Sequence, residues 1–384
     1  MRIPENDYTF DTFVRYLLDN ERKVFGGGER KRWLKVYLVH AMRRWEPLFH
    51  DLPQRKLGEF LRISMQAKGL ARTVEFYVHE WSPGILVFFT SSRREEYEKT
   101  LKRFIRSNRG ITEMRIRRSL FVTARNYLLD KHEAVVYSFI SRRGPFSKAR
   151  ARLRPAFDRR LSYTGDDGKE VLKEVLDFYG VLPDSVNFRV GTDKLQITSG
   201  GLLLFRSVNE RTVQIMTDLL KMLTEPQRIV REVSDSLERT TRTVRIGEVD
   251  IQIPVVVPGV ITLQGPELDR NVIERFFRQE DSDSVKYSLG PEPTEIAEFA
   301  EEPEAREFSF IDTSIREGSF SFSATVVDDI KGTMFGVSGT SERMILVPMH
   351  RTIFESFVRF YELVVENLDE EARFDVLPPE TQVK

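Results

Sequence analysis

Apolar positions along the chain change period several times, and each change predicts an element. Phe10, Phe13, Val14, Leu17 and Leu18 fall at i, i+3, i+4, i+7 and i+8, one stripe of an α-helix that Gly26-Gly27-Gly28 stops. Trp33, Val36, Tyr37 and His40 predict a second helix over 30–45, ended by Pro47. Leu57, Phe60, Leu61, Ser64 and Met65 predict a third before Gly69. Residues 71–80 and 84–92 read as two strands around Trp81-Ser82-Pro83-Gly84.

A helix over 93–106 would bury Tyr97, Leu101, Phe104 and Ile105 and turn Lys99, Lys102, Arg103 and Arg106 to solvent. After Arg109, residues 111–122 suit a strand, with Arg115 and Arg117 on one face and Arg118 beside them, because side chains alternate with a period of two. Residues 121–131 suit a helix and 133–140 a strand. Further on come a helix over 169–180, strands over 185–190 and 194–207 with a turn at Ser199-Gly200-Gly201, and a helix over 209–223. The order strand, turn, strand, helix thus occurs twice. It recurs more loosely over 249–277 and again over 319–368. The expected fold is α+β: an N-terminal helical segment followed by repeated strand–strand–helix units, antiparallel sheets each covered by a helix.

Three helices and a hairpin at the start are similar to the element order of winged-helix proteins, which lay the third helix in a DNA groove. That resemblance implies a groove-reading helix carrying Arg55, Lys56, Arg62 and Lys68.

Charge divides the chain. Residues 1–160 hold 35 Lys and Arg against 18 Asp and Glu, whereas 161–384 hold 24 against 41. The reversal falls at an arm, 141–160, with Arg142, Arg143, Lys148, Arg150, Arg152, Arg154, Arg159 and Arg160 against Asp158 alone. On this basis the expected segments are helical 1–70, a basic α+β module 71–160 ending in the arm, a second module 161–240, and an acidic module 241–384 with an acidic loop at about 280–307. Zero cysteines exclude disulfides, thiol nucleophiles and cysteine-ligated metals. The opening MRIPENDYTF lacks the apolar core of a signal peptide, and the longest apolar stretch, 253–263, is short and holds two prolines. These features predict a soluble, cytoplasmic chain with no membrane partner.

One-sided basic charge points to nucleic acid, DNA or RNA. In an extended arm Arg150, Arg152 and Arg154 would present three guanidiniums along a phosphate backbone, joined by the cations between Lys99 and Arg118. The expectation is a non-catalytic nucleic-acid-binding protein whose acidic part meets a protein partner or masks the arm, with no cofactor and no metal. Two alternatives stand beside it. Asp312, Asp329 and Lys331 fit loosely the carboxylate and acid-x-Lys pattern of magnesium-dependent nucleases, without the usual Pro and with Asp in place of Glu. Opposite charge on the two parts would also suit head-to-tail self-assembly. The five histidines show no metal-ligand spacing; Arg125 and His132 share the Arg-x6-His spacing of some HEPN ribonucleases, among strands unlike that helical bundle.

Overall fold

Residues 34–41, LKVYLVHA, form a strand, β1 (Leu34–Ala41), and all eight residues are buried. The helix expected over 30–45 is therefore absent from this stretch. A strand packed on both faces has no polar side and loses its alternation, so its apolar residues can fall by chance at helical spacing. In a computed structural model of the protein, the described residues are 1, 3–26, 32–41, 45–66, 69, 72–116, 118–142, 159–175, 182–224, 241–246, 249–254, 257–264, 273, 276–277, 285–288, 307–316, 320–349, 351–369 and 372–376.

The first helix forms where its stripe predicts it. Thr9 caps α1 (Phe10–Asp19): its hydroxyl accepts from the Thr12 N–H at 3.3 Å, and the Thr12 hydroxyl accepts from the Thr9 N–H at 2.8 Å. Phe13, Val14 and Leu17 are buried, and α2 (Glu21–Phe25) ends at Gly26. The third expected helix is instead a hairpin of β2 (Gln54–Leu57) and β3 (Phe60–Met65). Phe60 enters one core, stacking on Phe13 at 4.1 Å, whereas Ile63 and Met65 enter the core on the other face. Packing on both faces again imitates a helical stripe. Gly58 makes the tight turn with φ +65°, and a Cβ there would lie 2.4 Å from the Tyr8 carbonyl oxygen. The winged-helix order is thereby overturned: Arg55 and Arg62 sit on strands and pair with Glu5, and Lys56 pairs with Glu46.

Strands β4 (Val74–Ser82) and β5 (Ile85–Thr90) follow as expected. Helix α3 runs through the contiguous segments Arg94–Tyr97, Glu98–Lys102 and Arg103–Ser107. The strand expected over 111–122 is confined to β6 (Ile111–Glu113), because the chain turns into α4 (Arg118–His132). Next come β7 (Val135–Arg142), β8 (Arg159–Thr164), α5 (Gly168–Glu174), β9 (Leu182–Val190), β10 (Asp193–Thr198), β11 (Leu202–Phe205) and α6 (Glu210–Thr224). The C-terminal part contributes β12 (Thr241–Ile246), β13 (Val249–Pro254), β14 (Gly259–Thr262), β15 (Val285–Ser288), β16 (Phe308–Arg316), β17 (Ser321–Asp328), β18 (Thr333–Gly339), β19 (Arg343–Pro348), α7 (Phe354–Asn367) and β20 (Arg373–Val376).

The described residues form two compact units. One is built on a large sheet in the order β15-β8-β7-β9-β10-β11-β1-β5-β4-β3-β2, with β6 also on β1; every pairing is antiparallel except β15 with β8. Residues from 1–70, 71–160 and 161–240 all contribute strands to it. Helices α1, α2, α4, α5 and α6 cover one face and α3 the other. Each Leu fully buried in these cores, such as Leu101 or Leu219, contributes about 1.5–3 kcal/mol. The other unit holds a sheet in the order β16-β17-β18-β19-β14-β20, all antiparallel, with the buried Phe357, Phe360 and Val364 of α7 on one face. The architecture is α+β. The chain does order strand, strand, helix at β4-β5-α3 and β10-β11-α6, but those helices lie in different cores on opposite faces of one sheet. They are not separate covered units.

Candidate nucleic-acid interface

Helix α3 is anchored before its cations are displayed. Glu96 accepts from the Arg93 N–H at 2.6 Å and takes the Arg72 guanidinium through two bonds, at 2.5 and 2.7 Å. Burial pushes its carboxyl upward, yet the Arg72 fork and the Arg93 N–H outweigh burial and bring it down to about 2. Tyr97 stacks flat on Tyr37 of β1 at 4.0 Å and donates its hydroxyl to Glu113 at 2.5 Å. Leu101 and Ile105 are buried, and Phe104 stacks on Phe49 at 5.2 Å. With that face fixed, the remaining side of the helix points to solvent.

Lys99, Lys102, Arg103 and Arg106 fall at i, i+3, i+4 and i+7 on this side, and Arg109 follows in the closing turn. Lys99, Arg103 and Arg109 are exposed; Lys102 and Arg106 are half-buried. Lys99 pairs with Glu95 one turn earlier at 2.6 Å, while Arg103 and Arg109 have no ion-pair partner among the described residues. Glu98–Lys102 forms a π turn, a widened turn frequent at functional sites. Cations in the last turn also complement the helix dipole, which accounts for part of this pattern without any ligand.

The other basic candidates are dispersed. Arg115 is half-buried beyond the end of β6 and has interaction partners within the protein. Arg117 lies outside the described residues, as does the side chain of Arg118 at the start of α4. Of the arm, Arg143, Lys148, Arg150, Arg152 and Arg154 lie outside the described residues. The backbone at its two ends is described: Arg142 of β7 sits directly opposite Arg160 of β8, next to Arg159. The arm therefore leaves one strand and returns on its neighbour. It is an insertion within one sheet, between strands four and five spacings from β1, or about 19–24 Å. Inside the acidic run 280–307, β15 pairs in parallel with β8, placing Lys286 beside Arg160.

The carboxylate trio is not assembled. Register pairs Phe308 with Asp328 and Ile311 with Thr325, and the Asp329 N–H donates to the Glu307 carbonyl. Asp312 and Asp329 are thus about five residues apart along β16, roughly 16 Å, too far to share one ion. Asp329 accepts from the Ser309 hydroxyl at 2.7 Å, and Lys331 lies in the adjacent turn. Among the described residues no group of three or more His, Asp and Glu could hold a metal ion. No described helix is long and apolar enough to cross a membrane.

Sequence reasoning missed one titratable cluster. Tyr127 donates to Asp218 at 2.5 Å, Gln214 donates to the same carboxylate oxygen at 2.9 Å, and His132 lies 2.9 Å from the Tyr127 hydroxyl. Burial and the Asp218 carboxylate push the Tyr127 hydroxyl up; burial pushes His132 down. The cluster joins α4 to α6 across 91 residues of sequence, a separation that no local motif signals. Arg125 is turned to Asn126 instead and does not join His132.

Comparison with known proteins reaches only part of the chain. The AF_0896_M family middle domain matches residues 128–198, from the end of α4 through β7, the arm, β8, α5 and β9 to β10. A protein of Archaeoglobus fulgidus described as "Uncharacterized protein" is 25% identical over 233 residues, 59% of this chain and 57% of the relative. The matched region thus spans less than two thirds of that relative's length. No solved structure matches the chain.

Proposed function

We propose that the protein binds nucleic acid through its backbone phosphates, without catalysing a reaction on it. The supporting observation is the exposed Lys99 and Arg103 on a helix whose opposite face is fixed in the core, with the half-buried Lys102 and Arg106 beside them and the exposed Arg109 in the turn that follows. Such a set contacts phosphates and leaves base edges unread, so binding is salt-dependent and tolerant of sequence. The arm supplies a second set of cations to the same sheet.

Fluorescence anisotropy with labelled single-stranded and duplex DNA and RNA, between 50 and 200 mM salt, tests this reading. Neutralising Lys99, Arg103 and Arg109 to Gln should flatten the slope of log affinity against log salt by about 2–3 on duplex DNA, alike for all sequences. An unchanged slope would remove α3 from the interface. Pairing of β15 with β8 favours masking of the arm by the acidic run that carries β15. Changing Glu292, Glu295, Glu298, Glu301 and Glu302 to Gln should then raise affinity at low salt, and unaltered affinity would count against masking.

A further inference from the structure

The solvent face of the β16–β19 sheet is polar and cationic at one end and apolar at the other. At the polar end Arg316 pairs in register with Ser321, and the Thr340 N–H donates to the Arg343 carbonyl at 2.9 Å. Phe322 opposite Gly339 brings Ser321 and Thr340 side by side, so one cross-strand row carries an arginine at each end and two hydroxyls between. The next row, Ser314, Ser323 and Ser338, adds three hydroxyls before reaching Ile345. Together they line a hollow of about 310 Å³. Arg316 and Arg343 are exposed, and neither has an ion-pair partner among the described residues, although the chain beyond residue 160 is strongly acidic. Their Cα atoms are three strand spacings apart, about 14 Å, so two extended guanidiniums can converge on one anion above the hydroxyls.

Moving along the same face, the third row is Ile311, Thr325, Gly336 and Val347. The floor is small here too, between larger residues on β16 and β19. In the fourth row Val327 lies opposite Met334, with Met349 just past the end of β19. Ile311, Met334, Val347 and Met349 are the large hydrophobic residues exposed among the described residues, 40–45% each, and all are gathered at this end. Exposed apolar residues clustered on one face mark a contact surface. The trough from Ser321 to Val327 is about 20 Å long.

We propose that this trough binds an amphiphilic phosphate monoester in monomeric form, its phosphate between Arg316 and Arg343 and its alkyl chain over Gly336 toward Met334 and Met349. Charge complementarity selects the dianionic head. Paired guanidiniums and hydroxyl donors match three phosphate oxygens, and the apolar end selects the tail. This site is independent of the nucleic-acid reading, which rests on α3.

Isothermal titration of the full chain with decyl phosphate below its micellar concentration tests the proposal, with inorganic phosphate and decyl maltoside as head-only and neutral-head probes. Decyl phosphate should bind at least about tenfold tighter than either. R316Q/R343Q and M334S/V347S should each weaken it by about tenfold or more, the size of one lost charge-assisted hydrogen bond or buried apolar side chain. All four side chains are exposed, so melting temperatures should stay close to the wild type's, and K99Q/R103Q/R109Q should bind decyl phosphate normally. Wild-type affinity for decyl phosphate in either trough variant, or no preference over inorganic phosphate or over decyl maltoside, would overturn the proposal.

Discussion

Replacing Glu96 with Gln removes the charge that ties the start of α3 to Arg72. The carboxyl is held at about 2 against an ordinary value of 4.5. A shift of that size corresponds to about 3 kcal/mol between its ionised and neutral forms. Arg72 is 40% exposed, so solvent screening reduces the expected loss to about 2 kcal/mol at pH 7. The sign follows from the depressed value. Glu96 stabilises the fold fully above the unfolded carboxyl's pKa, and that contribution disappears as pH falls through about 2. Wild type should therefore exceed Glu96→Gln by about 2 kcal/mol at pH 7, with the gap closing between pH 4.5 and 2. Urea denaturation followed by tryptophan fluorescence reads this unit selectively, since Trp33, Trp45 and Trp81 all belong to it. A gap under about 0.5 kcal/mol at pH 7, or one that stays constant down to pH 2, would refute the reasoning.

Other substitutions test separate parts of the structure. Gly58→Ala should cost more than about 2 kcal/mol by urea denaturation, since a left-handed turn residue acquires a Cβ that meets the Tyr8 backbone. Gly339→Ala should lower the thermal midpoint of the C-terminal unit by circular dichroism, at about 1–3 kcal/mol, because its Cβ would sit 2.5 Å from the Phe322 ring. Asp218→Asn should remove about 1 kcal/mol and let Tyr127 ionise at lower pH, visible by ultraviolet titration; an unchanged tyrosine titration would show that Asp218 does not hold that hydroxyl.

Several features were legible in the sequence because they depend on neighbours. The stripe from Phe10 to Leu18, the turn at Pro83-Gly84 and the paired order of strands and helix at 71–106 and 194–223 all appear as expected. Lys99 and Arg103 of α3 are likewise exposed as helical period predicts once Leu101 and Ile105 are buried, whereas Lys102 and Arg106, expected at the same surface, are half-buried. Residues 30–65 were illegible for the opposite reason. In β1 and β3 both faces are buried, and which face is buried depends on helices far away in sequence.

The amino-acid sequence by itself determined the charge division, the absence of cysteine chemistry and the local elements that bury a single face. Only the tertiary structure decided what these elements combine to make. Long-range pairing placed 1–70, 71–160 and 161–240 in one sheet, made the arm an insertion between adjacent strands, and separated Asp312 from Asp329. It also aligned Arg316 with Arg343 across four strands, since cross-strand register joins residues that no sequence period connects.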